Sequence, residues 1–132
     1  RGVDCKGKID IIDLKNKKIW DLKTCQDASS DKFAYEVKDR LYWVQQAFYK
    51  LLVDKHYGEK FDCGFIAVET TDPSGCAFYD VDAEELNKWC NITEYNLLRY
   101  KACLEQEDFH GYASGKLPAI NVKNPIIEDL TR

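Results

Sequence analysis

The stretch Lys8-Ile9-Asp10-Ile11-Ile12-Asp13-Leu14-Lys15-Asn16-Lys17-Lys18-Ile19-Trp20-Asp21-Leu22-Lys23 decides how this chain is read. Side chains two apart on a strand share a face. Ile9 and Ile11 therefore alternate with Asp10, and Trp20 and Leu22 alternate with Asp21 and Lys23. Between the two runs, Leu14-Lys15-Asn16-Lys17 has the character of a tight turn, in which Asn16 tolerates the left-handed conformation. The pattern predicts a β-hairpin over residues 3–13 and 17–24. Closed at that turn, it brings Asp10 near Asp21 across the strands and leaves Lys23 on the face of Asp21. Two carboxylates able to flank a divalent cation, with an ammonium group beside them, suit phosphodiester hydrolysis. The plainer reading is two surface acids on a hairpin.

The residues that follow weigh against the plainer reading. Asp21-Leu22-Lys23-Thr24 is succeeded by Asp27-Ala28, and then by Tyr42-Trp43-Val44-Gln45-Gln46-Ala47-Phe48-Tyr49. Asp10 with Asp21-Leu22-Lys23 resembles the D…(D/E)-x-K pattern of the PD-(D/E)XK nuclease superfamily. The fuller set, over residues 2–112, resembles the RecE-type (exodeoxyribonuclease VIII-like) exonucleases of phages and prophages. Gln45 and Tyr49 are similar to the Q-x-x-x-Y element of RecB-like nucleases.

The resemblance implies an α/β fold, a restriction-endonuclease-like mixed β-sheet flanked by helices and lacking its N-terminal part. It implies a metal-dependent exonuclease that digests duplex DNA from an end in phage-type recombination. Such enzymes work as ring-shaped homo-oligomers beside a single-strand annealing protein. It implies Mg²⁺ or Mn²⁺ held by Asp10, Asp21 and the main-chain carbonyl of Leu22. Lys23 would orient the attacking water and stabilise negative charge, and Gln45 would orient the nucleophile or the DNA end. Lys8, Thr24 and Tyr49 are the candidate DNA contacts. The chain departs from the pattern upstream: only nine residues precede Asp10, and Asp4 is the one acid among them. Arg1 follows no initiator Met, so the chain is expected to be a piece of a longer protein. The alternatives are a restriction-like or Cas4-like nuclease, or a non-catalytic DNA-binding or assembly module.

Composition bounds the rest. A length of 132 residues suits one domain with a real core. A hydrophobic fraction of 45% with 32% charged residues is ordinary for a globular chain. The net charge of −4 does not advertise a nucleic-acid binder. Lys6, Lys8, Lys15, Lys17, Lys18 and Lys23 nevertheless crowd the hairpin. No apolar run approaches a membrane span and no secretory signal is visible. The six cysteines form no C-x-x-C pair, and only two histidines exist, which disfavours zinc. The close cysteine pair of iron–sulfur relatives and of Cas4-like proteins is absent. The cysteines are expected to be free thiols of a cytoplasmic protein.

Further along, Phe33, Val37, Leu41, Val44, Phe48, Leu51 and Leu52 recur at spacings of three and four. They predict one helix over 31–57, capped by Ser30 or Asp31 and ended by Gly58. Gln45 falls at the edge of that apolar face. Cys63–Glu69 and Cys76–Val81 read as a strand pair around the turn Asp72-Pro73-Ser74-Gly75, with Glu69 a weaker metal-site candidate. Asp82-Ala83-Glu84-Glu85 is a capping box that opens a second helix to Glu107. The nuclease core is expected over 1–112 and an extended arm over 113–132. Asn91-Ile92-Thr93 matches a glycosylation sequon but falls inside the second helix.

Overall fold

A computed structural model describes residues 2–109. The expected arm over 113–132 lies outside the described residues. Four strands and three helices follow in the order β1 (Ile11–Asp13), β2 (Lys18–Cys25), α1 (Ser30–Asp39), α2 (Tyr42–Tyr57), β3 (Asp62–Glu69), β4 (Cys76–Asp80) and α3 (Ala83–Gln106). The strands lie side by side in sequence order. β1 runs antiparallel to β2, with Ile11 opposite Trp20. β2 runs parallel to β3, with Asp21 opposite Phe65, and β4 closes the sheet antiparallel to β3. The sheet is thus mixed and flanked by helices, as expected.

The hairpin forms, but its first strand is short. Residues 2–10 run outside the sheet, and only Ile11–Asp13 pairs. The turn is held by Asp13, whose carboxylate accepts from the Asn16 main-chain N–H at 3.0 Å and side-chain amide at 2.7 Å. Lys17, not Asn16, takes the left-handed conformation, at φ 53°. Asn16 uses its side chain for the Asp13 bridge instead.

The helix predicted as one is two. Leu41 sits at φ 58° and ψ 32° between α1 and α2 and is 56% exposed. The break lets α1 turn Phe33 into a cluster with Phe65, Cys25 and Ala67, while α2 serves a second cluster around Ile19, Phe61, Cys63 and Leu86. A three-and-four repeat passes through a one-residue kink without a phase error large enough to notice. Ser29, rather than Ser30 or Asp31, stands at the start of α1, without a side-chain cap bond. Gly58 ends α2 as expected, at φ 67°, its N–H reaching Asp54 O at 2.9 Å. Asp82 caps α3 by accepting from the N–H groups of Glu84 and Glu85 at 3.1 and 3.2 Å.

The buried stripe of α2 also differs from the predicted one. It consists of Gln46, Ala47, Lys50 and Val53, on a different side of the helix from the predicted Val44, Phe48, Leu51 and Leu52. Two of the four are polar, and both find partners. Gln46 Nε2 donates to Gly64 O at 2.7 Å. Lys50 Nζ reaches Asp54 Oδ2 at 2.6 Å and Phe61 O at 2.7 Å, and Asp54 Oδ1 accepts the Phe61 N–H at 2.8 Å. This bridge ties the end of α2 to the start of β3 and hence fixes α2 over the sheet.

All three helices lie on one sheet face. The opposite face carries Trp20 edge-on to Phe78, with ring centroids 5.8 Å apart. Gly64 lies beneath Trp20, where a Cβ would come within 2.5 Å of the indole. All six cysteines are free thiols, as expected. Among the described residues no helix is long and apolar enough to cross a membrane.

Replacing Lys50 by Met keeps the stem and deletes the charge. It leaves Phe61 O without its donor and a partly buried Asp54 without its cation, so Lys50→Met is expected to lower unfolding stability by about 2–4 kcal/mol. Urea unfolding of the two proteins measures this, and a change within about 0.5 kcal/mol contradicts the bridge.

Candidate active site

β2 builds the site through its alternation. Ile19, Asp21 and Cys25 are buried on its inner face, and Lys23 is partly buried among them. Asp21 is 2% exposed, so a carboxylate occupies a position that the strand pattern gives to core residues. Asp10 stands just ahead of β1. Its Oδ2 accepts the Leu22 main-chain N–H at 3.0 Å, on the edge of β2 beyond the last β1 pair. Asp10 is thereby clamped next to Asp21, close enough for its charge to act on the Asp21 carboxyl.

Burial pushes the Asp21 carboxyl above its ordinary value of 3.8. The Lys23 hydrogen bond and charge oppose that rise, and the neighbouring Asp10 adds to it. Lys23 Nζ lies 3.0 Å from Asp21 Oδ2. That oxygen is buried and accepts no well-directed hydrogen bond among the described residues.

α2 supplies the other wall. Lys23 Nζ donates to Gln45 Oε1 at 2.7 Å, and Gln45 Nε2 donates to Tyr49 OH at 3.0 Å. The Tyr42 ring faces the same ammonium, its centroid 4.4 Å from Nζ. Tyr49 is pinned from outside by Gly7, where a Cβ would come within 2.8 Å of the phenol ring. Gly7 thus lets the segment ahead of β1 lie directly on Tyr49.

The structure therefore gathers Asp10, Asp21, Lys23, Gln45 and Tyr49. It does not gather the rest. Thr24 is exposed on the outer face of β2, opposite Lys23, and the Leu22 side chain is 50% exposed on that same face. Lys8 is exposed on the segment before β1. Glu69 pairs with Cys25, four residues beyond the Asp21 level, roughly 13 Å along the strand. Its carboxylate packs at Gly75. Of the six hairpin lysines, three pair with carboxylates: Lys17 with Glu59, Lys18 with Asp80 and Lys23 with Asp21.

Tyr42 was not among the site residues expected from the sequence. The signal was present: Tyr42, Gln45 and Tyr49 are spaced three and four apart, which is one helix face. Among the described residues no group of three or more His, Cys, Asp and Glu side chains gathers that could hold a metal. The donors that do meet, Asp10 and Asp21, are oxygen ligands. The buried Asp21 Oδ2 takes no hydrogen bond among the described residues and has the Lys23 ammonium 3.0 Å away. This pair fits a divalent ion that keeps several waters.

A carboxyl raised by burial binds its proton more tightly in the folded state than in the unfolded one. Ionised Asp21 thus costs stability, and the cost grows as pH rises from 3.8 through the raised value and is absent below 3.8. Asp21→Asn is expected to melt higher than the parent at about pH 7, with the gap closing toward about pH 3. Thermal unfolding across that range tests it, and a lower melting point for the variant at neutral pH contradicts the sign.

Residues 1–121 match the model of a family described as PDDEXK-like domain of unknown function (DUF3799). No curated protein matches the chain. A solved structure from Eubacterium rectale, named there "Putative exonuclease", is similar at 20% identity with a TM-score of 0.53. The alignment covers 86% of this chain and 47% of that one, so this chain spans about half of its structural neighbour. The neighbour's likeness bears on the fold alone. With a family model spanning 121 of the 132 residues, the protein belongs to the PDDEXK-like family DUF3799.

Proposed function

We propose that this chain carries the catalytic residues of a metal-dependent deoxyribonuclease, an exonuclease of RecE type acting on duplex DNA ends. The observation that carries the reading is the linked set Asp10, Asp21, Lys23, Gln45 and Tyr49. A surface hairpin has no need for a buried carboxylate, and no need for a glutamine that bridges its lysine to a tyrosine. The name of the structural neighbour and the family description agree with a nuclease.

In this reading Asp10 and Asp21, with the Leu22 carbonyl, hold Mg²⁺ or Mn²⁺. Bound there, the ion would supply an acidified water and neutralise the scissile phosphate. The chain's own part is positioning and charge. Asp10, fixed by the Leu22 N–H, keeps one acceptor oxygen facing the site. Lys23 presents a cation where negative charge develops at the phosphate. Gln45 fixes that cation by its carbonyl and is itself fixed by the Tyr49 hydroxyl. Lys8 meets the DNA backbone from the segment before β1, and Tyr49 sits at the DNA end. Thr24, on the outer face, would meet DNA only if the strand wraps around β2. Assembly into a homo-oligomer and cooperation with a single-strand annealing protein complete the RecE-type role.

One observation favours a second reading. Only two acids meet among the described residues, which suits a DNA-binding or assembly module that does not cleave. End-labelled linear duplex and closed circular DNA, each with Mg²⁺ or Mn²⁺, separate the two readings. The nuclease reading expects linear DNA to be digested and circles spared. Asp10→Ala, Asp21→Ala and Lys23→Ala should each reduce the rate by about 10²–10³-fold. Calorimetry should show Mn²⁺ binding that disappears in both Asp variants. DNA binding without cleavage, and no metal uptake, would establish the non-catalytic module.

A further inference from the structure

We propose that Tyr42 is a positioning residue of this site, acting through Lys23 by the face of its ring. The contact stands on geometry alone, and its catalytic consequence rests on the nuclease reading above. The Lys23 ammonium is enclosed on three sides: Gln45 Oε1 at 2.7 Å, Asp21 Oδ2 at 3.0 Å and the Tyr42 ring centroid at 4.4 Å. The first two are oxygen acceptors, and the third is the negative face of an aromatic quadrupole.

Lysine reaches its site on a flexible four-carbon stem. Two acceptors alone leave that stem free to swing the charge toward Asp10 or out to solvent. The ring closes this freedom, and the Lys23 side chain is only 18% exposed. The left-handed turn at Leu41 begins α2 over the Lys23 end of β2, which puts its first residue, Tyr42, against the ammonium. One and two turns further along the same face come Gln45 and Tyr49. The ring also packs on the cluster of Cys25, Phe33 and Phe65, so it cannot turn away. The Tyr42 hydroxyl makes no hydrogen bond among the described residues, so the ring and not the hydroxyl does the holding.

That division sets the test, made on the full chain with Tyr42→Phe and Tyr42→Leu. Phe keeps the π-face, whereas Leu keeps apolar packing and loses it. Thermal unfolding confirms that both variants are folded. In the NMR spectrum the Lys23 ε-methylene protons, assigned by their loss in Lys23→Arg, should be shifted upfield by the ring. The shift should persist in Tyr42→Phe and vanish in Tyr42→Leu. With Mn²⁺ and linear duplex, Tyr42→Leu should lower kcat by about 10-fold with KM for DNA unchanged, and Tyr42→Phe should stay within about twofold. An unshifted Lys23 resonance in the parent overturns the proposal, as does equal impairment of the Phe and Leu variants. If the parent cleaves no DNA, the nuclease reading falls, while the Lys23 shift still upholds or overturns the placement of the ring.

Discussion

A carboxylate held inside a sheet is the constraint on which the arrangement turns. Asp21 occupies an inward position on β2 between Ile19 and Cys25, both core residues. Isolated there, its charge would be expensive. The structure answers with one cation. Lys23, two residues on and therefore on the same face, brings the ammonium. Asp10, held by the Leu22 N–H, brings a second negative charge that works against the first. A fold selected for stability alone would not place two acids there. Their juxtaposition raises the Asp21 carboxyl further, an unfavourable interaction that stability does not require.

The parallel pairing of β2 with β3 makes that arrangement rigid. It sets Asp21 level with Phe65 and Lys23 level with Ala67, and the intervening α1 and α2 are the crossover between the two strands. The crossover must return α2 across the inner sheet face at a fixed depth. Gln46 on Gly64 O and Lys50 on Asp54 and Phe61 O set that depth, using polar groups where a generic core would use apolar ones. Once α2 is seated, Tyr42 and Gln45 face Lys23, and Tyr49 backs Gln45. The kink at Leu41 serves the same end by letting α1 leave along another line.

Aromatic rings do much of the positioning. Tyr42 flanks the Lys23 ammonium, Tyr49 receives the Gln45 amide, and Gly7 permits the leading segment to lie against Tyr49. Flat, stiff side chains are suited to this because few torsions remain free once one face is packed. The outer sheet face, with Trp20 and Phe78, is built separately and shares no side chain with the site.

Much of this was legible in the residues themselves. Period-two alternation put Asp21 and Lys23 on one face, turn chemistry closed the hairpin, and together they predicted Asp10 beside Asp21. Gly58 and Asp82 marked helix ends through local backbone chemistry. Those signals act over a few residues, so a sequence carries them whole. Other features belong to the tertiary structure. Gln46 and Lys50 stand outside the apolar repeat read from the sequence, yet both are buried, because their partners Gly64 and Phe61 lie eleven to eighteen residues away. The left-handed break at Leu41 leaves no trace in the apolar repeat. Tyr42 looked like one more aromatic until the crossover brought it over Lys23. Burial of a polar group and the facing of a ring depend on what the folded chain brings opposite them, and that is decided only when the sheet and its helices have packed.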